Sequence, residues 1–93
     1  MTQADIESAL VRAVEEIQAA SGRTATGLGS STKPVGSLDG FDSLNGIEAA
    51  VLVEAVLGCT VPENPLMDDY GRPVTIAHAA AKILAVNRET TSD

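Results

Sequence analysis

Asp42 and Ser43 stand side by side at the mouth of a long apolar segment, residues 43 to 57, that carries only two charges. Their types could carry chemistry. A serine hydroxyl attacks when a positioned base takes its proton and a third group orients that base. The one histidine, His78, falls in a different predicted helix, and nothing in the sequence brings it to Ser43. The chain also lacks a glycine-rich phosphate loop and a cluster of metal-ligating side chains, so the sequence argues against an enzyme and gives no catalytic residue and no metal site. Cys59 is the only cysteine, which excludes an internal disulfide and a thiolate zinc cluster. A structural role competes for the same pair. Asp and Ser are preferred at helix N-caps, and Asn45 with Glu48 offers a second, register-shifted capping pair. Capping leaves Leu44 unexplained, a large apolar residue at the opening of the helix.

The elements that must position this pair follow from composition and pattern. With 93 residues, 44% of them apolar and only 2% aromatic, the chain makes one domain whose small core is built from Ala, Val, Leu and Ile. Such a core suits closely packed helices. A net charge of −7 argues against nucleic acid, whose phosphates are met by clustered Lys and Arg. It favours partners with basic patches, drawn in by long-range attraction. No segment has the length of a membrane span, and the first residues lack the layout of a secretory leader. The expected setting is the cytoplasm, and the expected state a monomer.

Periodicity predicts a first helix over residues 4–20, with Ile6, Leu10, Ala13, Val14 and Ile17 on one face. Residues 21–42 read as a long loop rich in Gly, Ser, Thr and Pro, which Leu28, Val35 and Leu38 pin to the core. A second helix runs over 43–57 and stops at Gly58. Residues 58–73 hold three prolines and leave room for a short turn of helix near Pro65 to Tyr70. A last helix covers 74–86, with Ile76, Ala79, Ala80, Ile83 and Leu84 on one face, and 87–93 form a tail. The fold class is all-α, a small bundle.

A wheel at about 100° per residue divides the second helix into two arcs. Gly46, Ala49, Ala50, Val53, Val56 and Leu57 form the expected core face. Opposite lie Leu44, Ile47, Glu48, Val51, Glu54 and Ala55, where large aliphatic residues share the solvent side with both charges. An exposed aliphatic stripe rimmed by carboxylates suits docking. The alternative is a helix buried on nearly all sides.

Gly40-Phe41-Asp42-Ser43-Leu44, opening the middle helix of a small acidic all-α chain, resembles the signature of the acyl carrier proteins and related phosphopantetheine-binding carriers. The likeness continues through residues 45–62, ends at Thr60-Val61-Pro62, and resumes at Val74-Thr75-Ile76. It implies a four-helix bundle with a long first loop and a short third helix. It implies 4′-phosphopantetheine attached to Ser43, transferred from coenzyme A by a phosphopantetheinyl transferase. Asp42 would help engage the transferase and its magnesium ion, and Leu44 would flank the attachment site. The resemblance assigns partner recognition to Leu44, Ile47, Glu48, Val51 and Glu54, the stripe that the wheel marks. The partners implied are acyl-transferring, ligase or synthase enzymes with basic docking patches. The attached phosphodiester would gain from the free amides and positive dipole end of a helix N-terminus. Only two acids in the second helix, Asn at 45, Gly at 46 and a proline-rich 63–73 segment depart from the general fatty-acid carriers. These point to a specialised carrier of acyl or aminoacyl intermediates. The competing reading is an unmodified, carrier-like interaction module.

Overall fold

The computed structural model describes residues 1–90, which contain four helical segments and no strand. Three of the four segments are sizeable. α1 spans Gln3–Ala20, a single turn α2 spans Pro34–Ser37, α3 spans Ser43–Leu57 and α4 spans Ile76–Thr90. α1 is the central element and packs along both α3 and α4. Its buried face is Ile6, Ala9, Leu10, Ala13, Val14 and Ile17, spaced as a 3.6-residue period requires. A capping box starts it: Thr2 Oγ1 accepts from the Asp5 amide, and the Asp5 carboxylate accepts from the Thr2 amide.

The core facing α1 comes from Ala49, Ala50 and Val53 of α3 and from Ile76, Ala79, Ala80 and Ile83 of α4. Phe41, Val61, Leu66 and Val74 close it from the connecting segments. The long first loop is held by side chains and by backbone. Leu28, Val35 and Leu38 pack against the core as the sequence suggests. Thr32 and Ser30 carbonyls accept from the Ile76 and Ala77 amides at 2.9 Å each, so the loop caps the start of α4. Gln18, the buried polar side chain of α1, donates to the Asp39 carbonyl at 2.9 Å and fixes the approach to α3.

Several expectations change. The short turn of helix expected within 58–73 is not a helix but two separate turns, closed by the Met67 amide donating to the Asn64 carbonyl and the Gly71 amide donating to the Asp68 carbonyl. Pro62, Pro65 and Pro73 withhold the amides a longer helix needs. The short helical segment lies earlier, at α2. There Pro34 sets the first turn, but Val35 (ψ 121°) and Gly36 (φ 92°) leave helical geometry at once. α4 begins at Ile76 instead of residue 74, because Thr75 Oγ1 accepts from the His78 amide. It continues past residue 86 to Thr90, and of the expected tail only 91–93 lie outside the described residues. Asn87 explains part of that extension. Its side chain exchanges hydrogen bonds with the backbone of Thr60, joining α4 to the segment after α3.

Candidate functional site

α3 begins at the expected residue for a local reason. Asp42 is extended (φ −114°, ψ −171°), and its Oδ1 accepts from the amides of Leu44 at 3.0 Å and Asn45 at 3.2 Å. Asn45 returns the contact, its Oδ1 accepting from the Asp42 amide at 2.9 Å. This is a capping box. Asn45 and Glu48 therefore do not form a second cap: Asn45 is the far half of the first one, and its Nδ2 donates to Glu48 Oε1 at 2.9 Å. The helix stops at Gly58, whose left-handed φ of 62° suits a residue without a side chain.

Ser43 is the first residue inside the helix. It is exposed, and among the described residues its hydroxyl makes no hydrogen bond. Asp42 Oδ2 is likewise outside the cap, since Oδ1 takes both amides. Leu44 projects beside them at 68% exposure. Together they leave an unengaged hydroxyl and a carboxylate oxygen at the positive end of a helix, next to an apolar step.

One electrostatic expectation needs correction. Two first-turn amides are not free for an anion on Ser43, because the Leu44 and Asn45 amides already serve Asp42 Oδ1, and the Gly46 amide serves the Asp42 carbonyl. The dipole end and the amide of Ser43 itself remain. A phosphodiester at Ser43 would then meet at most that one amide and otherwise extend into solvent. A covalent attachment through Oγ suits that exposed geometry, and no cradle for the group is built around it.

Further along α3, Val51 is 64% exposed, Glu48 and Glu54 are exposed, and Ile47 is half-buried. The outer stripe is thus a surface, which decides against a helix buried on all sides. The inner face needs correction at its C-terminal end. Gly46, Ala49, Ala50 and Val53 are buried as expected, but Val56 is 73% exposed and Leu57 only half-buried. α1 and α3 run antiparallel, and α1 has little to place over Val56, where Ala9 and Arg12 face it.

Asn64, which sequence reasoning passed over, and Gly46, whose role it missed, complete the site. Asn64 Nδ2 donates to the Ser43 carbonyl at 2.8 Å, while its Oδ1 accepts from the Leu66 amide at 3.3 Å. This side chain ties the first turn of α3 to the proline-rich segment. Gly46 is what lets it in, since a Cβ at 46 would overlap the Asn64 amide. A glycine inside a helical pattern was the available signal, as such glycines mark close approach.

The remaining candidate nucleophile and base stay apart from Ser43. His78 lies exposed on α4. Burial, and secondarily the charge of Glu54, push the Cys59 thiol up from its ordinary range, which disfavours the thiolate. Among the described residues no group of His, Cys, Asp and Glu is placed to hold a metal ion, and no helix is long and apolar enough to cross a membrane. No protein-family model, no curated protein and no solved structure matches this chain.

Proposed function

We propose that this chain is a carrier protein of the acyl-carrier type, with 4′-phosphopantetheine attached through Ser43. The observation that carries the reading is the exposed Ser43, its hydroxyl unengaged, at the first position of α3 between the capping Asp42 and the exposed Leu44. The arrangement of α1, the long pinned loop, α3 and α4 supports an acyl-carrier-like bundle, although two isolated turns replace the short third helix.

Loading exchanges the Ser43 O–H bond for an O–P bond. The transferase takes the proton, and the nucleotide half of coenzyme A leaves. Asp42 would help engage the transferase's magnesium ion, its carboxylate having one oxygen outside the cap while Oδ1 keeps the helix start in place. When attached, the group supplies a flexible arm ending in a thiol, which holds acyl or aminoacyl intermediates as thioesters. Leu44, Ile47 and Val51 give partner enzymes apolar contact, and Glu48 and Glu54 draw in their basic patches. The carrier performs no catalysis itself.

Intact mass after incubation with a broad-specificity phosphopantetheinyl transferase and coenzyme A tests the assignment. Wild type should gain one phosphopantetheinyl group and Ser43→Ala none, with equal helical signal. Loading of the alanine variant, or no loading of wild type by several transferases, overturns it. Glu48→Lys should slow loading, and added salt should shrink that defect, because exposed charges are screened beyond about 10 Å at 0.1 M.

A second reading is favoured by the commitment of the Leu44 and Asn45 amides to Asp42. In it the exposed stripe of α3 binds a basic partner, and Ser43 is never modified. That reading expects partner binding to be indifferent to Ser43→Ala.

A further inference from the structure

A second apolar surface on α3, Leu52 and Val56, lies beside the stripe assigned above, and it borders a groove. Three adjoining hollows run along the seam between α1 and α3: the middle one shares Ala9, Arg12 and Val56 with one neighbour and Glu16 and Leu52 with the other. The largest encloses about 500 Å³. One end reaches Met1 and Leu57, the other Ala20 and Asn45. Small side chains at Ala9 and Ala13 leave the groove open, and Leu52 and Val56 form its floor on the α3 side. The rim has one dominant sign. Asp5, Glu15, Glu16 and Glu48 border it, against the Arg12 side chain and, at one end, the Met1 α-ammonium.

We propose that this groove receives a basic amphipathic helix from a partner protein, laid along the α1–α3 seam. The shape favours a helix, since a seam between two antiparallel helices accepts the side-chain ridge of a third at about 8–10 Å between axes. From Asp5 to Ala20 the seam extends about 22 Å at 1.5 Å per residue, room for about four turns. Charge selects the occupant's flanks: Lys and Arg beside an apolar ridge would meet the four carboxylates while the ridge covers Val56 and Leu52. A second copy of this chain is a poor fit, because a chain of net charge −7 would bring acidic rims together. An acyl chain is a poor fit too, since it would lie in an open trough between charged walls. The inference does not depend on modification of Ser43: Glu48 borders both surfaces, but Ala9, Arg12, Glu16, Leu52 and Val56 belong to the groove alone.

The test is an amide NMR titration of the whole chain with a peptide of about five turns, carrying a leucine ridge flanked by lysines. A control peptide has glutamate in place of each lysine. Shifts should concentrate on Ala9, Arg12, Glu16, Leu52 and Val56, and affinity should fall as salt rises. Val56→Asn, at an exposed position, should weaken binding by about tenfold or more, the scale of a central interface contact. Val51→Asn on the outer stripe should leave it unchanged, and thermal melts should show both variants folded. Four results overturn the proposal: no shifts at millimolar peptide, shifts confined to Leu44, Ile47 and Val51, equal binding of the glutamate control, or equal loss in both variants. A dimer of the chain alone that Val56→Asn dissolves would assign the groove to a second copy instead.

Discussion

α1 and α3 are of similar length, 18 and 15 residues, and they pack against each other, yet they distribute their apolar residues in opposite ways. α1 concentrates Ile6, Leu10, Val14 and Ile17 on one face and places Arg12, Glu15 and Glu16 on the other. α3 is apolar almost all round, and the fold buries only its small side: Gly46, Ala49, Ala50 and Val53. Its larger aliphatic residues, Leu44, Val51 and Val56, lie mostly in water. A helix apolar on every side is ordinarily buried on every side. Here the excess is exposed, so packing within this chain does not account for it. α1 is built to hold the fold together, and α3 to offer surface.

If so, the largest stability losses belong to α1. Leu10 is fully buried, so Leu10→Ala should cost about 2–5 kcal/mol, a large part of what a domain of this size possesses. Denaturant melts followed by helical signal would measure it. A loss below about 1 kcal/mol would show that α1 is not the central element that the packing makes it.

Much of this contrast is legible in the sequence, and the missing part has a physical cause. The amphipathic period of α1 names its core face correctly, and Asp42 and Gly58 fix both ends of α3 through cap chemistry that acts within a few residues. Which face of α3 turns inward at its C-terminal end was not legible. With apolar residues all round, the pattern gives the helix no direction, so Val56 and Leu57 were assigned by the wheel and not by contrast. The roles of Asn64 and Gly46 depend on a contact across 18 positions of sequence, beyond the reach of local pattern.

Gly46 sharpens the comparison next. On an isolated helix, Gly→Ala gains up to about 1 kcal/mol. Here the new methyl must displace the Asn64 amide and its two hydrogen bonds, together about 2 kcal/mol. Gly46→Ala should therefore be net destabilising by about 1 kcal/mol. In an Asn64→Ala background the same change should become stabilising. A double-mutant cycle with no coupling would remove the packing explanation for this glycine.

Acid separates α1 from α3 by a smaller margin. Hydrogen bonds from Ser30 and then Gln3 hold the Glu7 carboxyl below its usual range, and the Thr2 backbone amide does the same for Asp5. A depressed carboxylate pKa contributes stability that is complete above the unfolded value, about 3.9 for Asp and 4.3 for Glu, and that is lost as pH falls through the folded value. Stability should thus decline below about pH 4.5, and Glu7→Gln should flatten that decline. Melts of both proteins from neutral to acid pH would show it. A parallel decline in the two would place the acid sensitivity elsewhere.

The smallest expected effect is the most informative about α3. Val51 is 64% exposed, so Val51→Ala removes little buried area and places a better helix former in the middle of the helix. The two effects oppose each other, and the net change should fall within about 0.5 kcal/mol of zero. Val53, two positions away and fully buried, provides the internal control: truncating it to Ala should cost several times more. If the two substitutions cost the same, α3 is covered on its outer side in solution, and the contrast with α1 collapses. If Val51→Ala leaves the melt untouched yet slows phosphopantetheinyl transfer, the surplus of apolar surface on α3 is retained for partners and contributes nothing to the fold.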